Sequence, residues 1–167
     1  QGEYYQLEQF PVEPASLQDI PIIIGGGGKV KTPTLAGKYS EEFNIYAGPK
    51  ETLAKSISLF KDVAAENGRE VAQLEITTAC PPVVGLTQDR VGESLSTAAK
   101  ALSQTEEEIA STWKEKNYLF GTPDEVASTL SMWQEVGIEA VYLQLLSLKE
   151  DNRNETIDVI NKAVGLI

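Results

Sequence analysis

The residue types with the greatest capacity for chemistry lie together in the stretch PIIIGGGGKVKTPT, residues 21–34. The four glycines Gly25–Gly28 allow backbone N–H groups to point into one small volume, because no side chain shields them. Lys29 and Lys31 add positive charge, and Thr32 adds a hydroxyl at a predicted helix start. Backbone donors, a helix N-terminus and cationic side chains together bind anions, so the stretch predicts a phosphate site.

The spacing of this stretch matches neither of the two common phosphate-binding fingerprints. A P-loop requires Ser or Thr after its Gly-Lys pair, whereas Gly28-Lys29 is followed by Val30. A dinucleotide fingerprint that starts at Gly25 would also place its third glycine at Val30. A flexible turn without a ligand is therefore the alternative interpretation of the four glycines.

Composition narrows the classes of function. The 167-residue chain has a formal net charge of -11, which disfavours nucleic acid and anionic membrane surfaces as partners. It has no histidine and one cysteine, Cys80, so a disulfide within the chain and a histidine-based nucleophile are excluded, and we expect no metal site. No apolar run reaches the ~18 residues of a membrane helix and no leader is evident, so a cytoplasmic protein is expected.

Several polar side chains on or near the predicted strands are further candidates, each with an alternative structural role. Asn44 and Gln144 either hydrogen-bond a ligand or satisfy backbone groups. Glu75 and Thr77 alternate on one strand, so both are expected on the same face, where the carboxylate either transfers a proton or is solvated. Cys80 has no cationic neighbour in the sequence, which favours a buried thiol over a reactive one.

Short apolar runs alternate with helical patterns along the chain. Strands are predicted at IPIIIG, FNIYAG, AQLEITTAC and AVYLQLL, and the first of them is expected to be fully buried. Helices are predicted from Thr32-Pro33, from Gly48-Pro49, through residues 87–116, from the GTPDEV capping box and in NETIDVINKAVGLI. A polar arm, residues 1–19, precedes these elements. The alternation predicts an α/β fold with a parallel sheet, either a small open sheet or half of an eight-unit barrel.

Nearly the whole chain resembles the luciferase-like monooxygenase superfamily, in particular its deazaflavin (coenzyme F420)-dependent oxidoreductases. The resemblance is carried by PIIIGGGG, KTPTLAGKYSEEFN and GTPDEVASTL…VGIEAVYLQLL. It implies a TIM barrel with insertions and F420, or alternatively FMN, as the cofactor. In that family the loop after the fifth strand contacts the cofactor phosphate. The resemblance therefore implies a cofactor site at Gly25, Gly26, Gly27, Gly28 and Thr32, with Lys31 and Asn44 beside them.

The resemblance begins at the fifth strand of the family, so we expect a single domain, residues 1–167, that is the C-terminal half of a (β/α)8 barrel. The four missing strands carry the usual acid/base residues of the family, which leaves the catalytic residues unassigned. The chain begins at Gln1 and its one methionine is Met132, so we expect a processed protein or a piece of a longer chain. The family often has arginine where Lys29 to Lys31 stand, and lysine lacks the bidentate fork of arginine.

The resemblance implies hydride transfer by an F420- or FMN-dependent oxidoreductase that acts on a small-molecule substrate, with this segment supplying the phosphate site. The alternative is a half-barrel that binds no redox cofactor. Half a barrel would leave the strands IPIII and AVYLQLL unpaired, and we expect its interior face to be apolar and wet. Such a chain is therefore expected to form a homodimer or to associate with the missing N-terminal half.

Overall fold

The structure, a computed structural model, describes residues 3, 4, 6, 16–145 and 150–167. Most of the predicted polar arm, residues 1–19, and the end of the AVYLQLL run lie outside the described residues. Within the described part, parallel strands alternate with helices, which confirms the predicted fold class.

The strands are β1 (Ile23–Gly26), β2 (Glu42–Tyr46), β3 (Glu75–Cys80), β4 (Val83–Val84), β5 (Phe120–Gly121) and β6 (Ala140–Leu143). The helices are α1 (Lys31–Tyr39), α2 (Lys50–Glu66), α3 (Gln88–Leu102), α4 (Glu106–Glu115), α5 (Pro123–Val136) and α6 (Glu150–Val164). A four-stranded parallel sheet has the order β1-β2-β3-β6. Strands β4 and β5 form a separate parallel pair that the sequence analysis did not predict.

The order of the sheet places β1 and β6 at its two edges, as expected for half of a barrel. The prediction that the first strand is fully buried is wrong, because β1 is an edge strand and Ile23 is 56% exposed. A continuous apolar run is typical of a strand that is covered on both faces. In this chain nothing among the described residues pairs with the outer side of β1.

One face of the sheet packs against helices and forms the main core. Phe43 and Ile45 point to this face from β2, and the ring of Phe43 lies 5.2 Å from that of Phe60 on α2. The predicted apolar stripe of α2 is confirmed as buried: Leu53, Ile57, Phe60 and Ala64. Because side chains alternate along a strand, the other members of β2 point to the opposite face, which is open in this chain.

Helix α1 is held in place by a close approach to α2. A Cβ on Gly37 would lie 2.6 Å from the backbone oxygen of Phe60, so only glycine allows the two helices to pack at this distance. Arg69 closes the far end of α1, because its Nη1 donates to the carbonyl oxygen of Gly37 at 3.1 Å. These contacts fix the position of the glycine stretch, which leads directly into α1.

The predicted capping box at the start of α5 is confirmed. The Glu125 carboxylate accepts a hydrogen bond from the Thr122 N–H at 2.8 Å and another from its hydroxyl at 3.1 Å. These bonds hold the pKa of Glu125 below its usual range. The helix ends at Gly137, which has a left-handed φ of 93°. Helix α6 begins at Glu150, earlier than the predicted start at Asn154.

Candidate cofactor site at the carboxyl edge of the sheet

Strand register decides which candidate side chains share the open face of the sheet. Gly25 is paired with Asn44, Asn44 with Thr77, and Thr77 with Ala140. All four positions therefore belong to the face opposite the helix-packed core. One row nearer the amino ends of the strands, Glu42 is paired with Glu75 on the same face. The prediction that Glu75 and Thr77 share a face is confirmed.

A chain of hydrogen bonds crosses the open face. The Asn44 side-chain amide donates to the Thr77 hydroxyl oxygen at 2.8 Å, and that hydroxyl donates to the Glu42 carboxylate. The Tyr142 phenol donates to the other Glu42 oxygen at 3.1 Å, and this bond to a carboxylate raises the pKa of Tyr142. The Asn44 amide thus has a structural partner, while its oxygen points toward the glycine stretch.

The expectation of an apolar interior face is wrong, because its centre carries a buried carboxylate. Glu42 is only 7% exposed, although it lies on the face that the helices do not cover. The neighbouring Thr77 and Tyr142 side chains donate hydrogen bonds to its two oxygens. The sequence analysis missed Glu42 and Tyr142. The available signal was their alternation with Asn44 and Gln144 along two predicted strands.

The four glycines bring the end of β1 close to both Asn44 and Thr32. A Cβ on Gly25 would lie 3.8 Å from the Asn44 side-chain oxygen. A Cβ on Gly28 would lie 2.4 Å from the Thr32 hydroxyl oxygen, so this position requires glycine unless Thr32 moves. The backbone of the loop therefore passes directly beside the hydroxyl, without an intervening side chain.

The predicted role of Thr32 as N-cap is wrong, because α1 begins at Lys31 and its N-cap is Val30. Val30 offers no side-chain acceptor, so the N-cap residue makes no side-chain hydrogen bond to the N–H groups of the first turn. The first turn contains no acidic residue, which leaves the positive end of the helix dipole uncompensated. Thr32 lies within that turn and presents its hydroxyl to the glycine loop.

Both lysines of the stretch are exposed. Lys29 lies in the loop and Lys31 is the first residue of α1. Neither forms an ion pair with another residue in the part of the chain that the structure describes. Their charges are therefore free to act on an anion at the loop, while the direct neighbours of the loop are Asn44, Tyr46 and Thr32.

The two remaining candidates, Cys80 and Gln144, lie at the carboxyl ends of β3 and β6. Cys80 is fully buried, and burial raises the pKa of its thiol to about 11, so it is a core residue as the sequence favoured. The Gln144 N–H donates to the Cys80 carbonyl oxygen at 3.1 Å and extends β6 by one residue. Its side chain lines a pocket of roughly 200 Å³ together with Pro81 and Trp113.

The described residues contain neither a candidate metal cluster nor a helix that could span a membrane. No group of three or more His, Cys, Asp or Glu side chains is arranged to hold a metal ion within these ranges. None of the described helices is long and apolar enough to cross a membrane.

Comparison with solved structures shows the same fold in much longer chains. An F420-dependent secondary alcohol dehydrogenase matches with a TM-score of 0.67 and 20% identity over 98% of this chain and 55% of that chain. EDTA monooxygenase from Chelativorans sp. BNC1 matches with a TM-score of 0.67 and 17% identity over 99% of this chain and 50% of that chain. A riboflavin lyase with modified FMN matches with a TM-score of 0.57 and 16% identity over 86% of this chain and 42% of that chain.

These matches indicate that the chain spans about half the length of the structures it resembles. Its parallel strands and alternating helices correspond to part of a TIM-barrel-like fold. No curated protein matches the sequence. The family model for luciferase-like monooxygenases, in contrast, matches residues 1–140. The chain therefore belongs to the luciferase-like monooxygenase family.

Proposed function

We propose that this chain is the C-terminal half of an F420- or FMN-dependent oxidoreductase and that its glycine loop holds the cofactor phosphate. The observation that carries the proposal is the uncapped N-terminus of α1, which directly follows Gly25–Gly28 at the carboxyl edge of the sheet. Ligands of parallel α/β folds bind at that edge, and phosphates bind at helix N-termini.

Each residue of the loop has a defined part in this proposal. The N–H groups of the loop and of the first turn of α1 donate to phosphate oxygens, and the Thr32 hydroxyl adds a further donor. Lys31 and Lys29 supply charge without occupying the loop. Asn44 directs its side-chain oxygen toward the same region. When bound, a flavin or deazaflavin accepts or donates the hydride, while the protein supplies position and excludes water.

Family membership and fold support a redox cofactor of this class. One of the similar structures is named for F420 and another contains a modified FMN, so both remain candidates here. The similar structures have about twice the length of this chain. The acid/base residues and the second wall of the ring pocket are therefore proposed to come from the other half of the barrel.

The proposal is tested by measuring the affinity of the purified chain for FMN, F420 and inorganic phosphate. Lys31→Glu should weaken binding by about tenfold, because it replaces an attractive charge near the phosphate by a repulsive one. Thr32→Val, which keeps the shape and removes the hydroxyl, should weaken it by a smaller factor. Lys100→Glu makes the same charge change on exposed α3 and serves as the matched control.

The outcomes separate the two functions that the sequence left open. An equal loss of affinity in Lys31→Glu and Lys100→Glu would mean that the overall charge of the chain, and not the loop, governs binding. A chain that retains no FMN or F420 after desalting, and whose weak binding of phosphate is the same in every variant, would favour the half-barrel without a redox cofactor.

A further inference from the structure

A second concave site lies farther along the carboxyl edge of the sheet. Its volume is roughly 200 Å³, and it is enclosed by α3, by Trp113 of α4, by Pro81 and Pro82 after β3 and by Gln144 after β6. The wall is rigid, since Pro81 and Pro82 have fixed φ angles. Trp113 is 4% exposed and its indole N–H donates to the Pro81 carbonyl oxygen at 2.8 Å.

The chemistry of the lining is uniform. Most of its surface is apolar, and none of the described residues that line it is charged. Three side chains add neutral polar groups: Ser94, Thr97 and Gln144. The Thr97 hydroxyl donates to the Glu93 carbonyl oxygen at 2.9 Å, whereas the Ser94 hydroxyl has no hydrogen-bond partner among the described residues. The pocket therefore offers an apolar body with one or two neutral hydrogen-bonding positions.

Charge argues against an ionic occupant. An anion would enter a chain with a formal net charge of -11 and find no cation among the described residues of the lining. A cation would lose its hydration without gaining a carboxylate partner. A neutral molecule loses little on entry and gains from the burial of its apolar surface.

The location of the pocket relates it to the glycine loop. The loop follows β1, and the pocket follows β3 and β6 in the sheet order β1-β2-β3-β6. Two strand spacings, about 10 Å, separate the ends of β1 and β3 along one edge. The glycine loop and the pocket therefore lie at the same edge of the sheet, close enough for one bound cofactor to reach both.

We propose that this pocket binds the substrate and selects a compact, uncharged, mainly apolar molecule with one oxygen function that hydrogen-bonds to Ser94 or Gln144. The role as substrate site rests on the proposed function, whereas binding of such a molecule does not. The experiment below therefore measures binding without a cofactor.

The test uses the indole N–H signals of the ¹⁵N-labelled chain. The chain has two tryptophans, and Trp133→Phe identifies the signal of Trp113. This replacement removes a buried indole N–H that has no hydrogen-bond partner among the described residues, so it breaks no hydrogen bond found there. Cyclohexanol should shift the Trp113 signal in a saturable manner, whereas cyclohexanecarboxylate, of similar shape but anionic, should bind at least about tenfold more weakly.

Two substitutions on α3 provide the matched comparison. Ala101 lines the pocket but is exposed, so Ala101→Phe should occupy it without disturbing the core and weaken cyclohexanol binding about tenfold or more. Lys100→Phe adds the same ring one residue away, outside the lining, and should leave binding unchanged. Circular dichroism during urea unfolding confirms that both variants are folded.

Any one of three results would overturn the proposal. The first is equal affinity for cyclohexanol and cyclohexanecarboxylate, and the second is equal cyclohexanol binding by Ala101→Phe and Lys100→Phe. The third is a Trp113 signal that depends on protein concentration in the absence of a ligand. The last result would assign the pocket to a second copy of the chain. Saturable, neutral-selective binding together with no affinity for FMN or F420 would keep the binding site and remove the proposed redox function.

Discussion

Glu42 is the residue that most distinguishes the open face of this sheet. A carboxylate that is 7% exposed requires hydrogen bonds, because an unsatisfied charge is costly to bury. Thr77 and Tyr142 provide them, and Asn44 holds the Thr77 hydroxyl in turn. The chain of contacts joins three neighbouring strands, so it couples the position of Asn44 beside the glycine loop to the far edge of the sheet.

Replacement of Thr77 by valine tests this network. Valine keeps the shape of threonine but leaves Glu42 and Asn44 each without one partner, so the free energy of unfolding should fall by about 1–3 kcal/mol. Urea denaturation measures the change. Thr77→Ser restores the hydroxyl and should recover most of the loss. Equal destabilisation by serine and valine would show that the methyl group, and not the hydroxyl, stabilises this part of the sheet.

Cys80 should be unreactive in the folded chain. Its pKa of about 11 means that little thiolate exists near neutral pH, and the thiol is also fully buried. Near pH 8, reaction with iodoacetamide should therefore be more than about a hundredfold slower than in concentrated urea. Comparable rates in the two conditions would contradict the burial.

The raised pKa of Cys80 also predicts that the stability of the folded chain depends on pH. The folded pKa of about 11 lies above the unfolded value of about 8.5, so the neutral thiol contributes stability that is complete below that unfolded value. This contribution is lost as pH rises toward about 11. Cys80→Ser replaces the thiol by a hydroxyl that does not ionise in this pH range. The stability of the serine variant should therefore vary less with pH above about 8.5 than that of the native chain.

At the scale of elements, the position of α1 decides the geometry of the phosphate loop. Gly37→Ala would place a methyl group 2.6 Å from the Phe60 backbone oxygen, and a backbone atom cannot move aside as a side chain does. We expect a loss of about 1–3 kcal/mol in stability, together with weaker phosphate binding as α1 shifts.

Gly92→Ala is the control for this helix substitution. Gly92 also lies within a helix, α3, but a Cβ there meets no atom within 4 Å. Alanine should therefore stabilise the chain by up to about 1 kcal/mol through helix propensity. Urea midpoints of the two variants should move in opposite directions. A shift of both in the same direction would show that contact with α2 does not set the position of α1.

Elements with strong local signals were predictable from the sequence. The apolar stripe of α2 and the Thr122–Glu125 capping box depend on residues a few positions apart, and both are confirmed. The pair β4 and β5 was not predictable, because each strand has two residues and the partners are separated by 37 positions along the chain. Local patterns carry no information on such pairing.

The candidate site was predictable to a similar degree. The glycine loop and Asn44 were identified from sequence, and the structure places them side by side. The hydrogen-bonded position of Glu42 was missed because its partner Tyr142 is 100 positions away. The N-cap of α1 was displaced from Thr32 to Val30, since the tight approach of Gly28 places the Thr32 hydroxyl at the loop.

At the scale of the whole molecule, the sheet has two edges that no described strand pairs with, and its inner face is partly exposed to water. Tyr46 and Tyr142 on that face are 63% and 50% exposed, and Ile23 at the edge is 56% exposed. Unpaired strand edges promote association with another chain. We therefore propose that this chain associates, either with a second copy about a two-fold axis or with an N-terminal half-barrel.

The charge of the inner face distinguishes these two partners. Closure of a barrel by two copies would bring Glu42 and Glu75 of both chains into one lumen, where like charges repel in a low dielectric. Glu75 is exposed on this face and forms no ion pair with a described residue. A different half-barrel that carries a basic side chain toward Glu75 would avoid this repulsion, so self-association is expected to be weak.

Sedimentation of the chain over a range of concentrations around the micromolar level tests this expectation. Glu75→Gln should strengthen self-association by about tenfold, because it removes one carboxylate from each copy in the shared lumen. Glu107→Gln makes the same charge change on the exposed first turn of α4 and should have no effect. If Glu75→Gln behaves like the control, the inner faces do not meet in the dimer. A stable monomer of 18.2 kDa that unfolds cooperatively in both variants would contradict association altogether and would show that the four-stranded sheet is stable with its edges open.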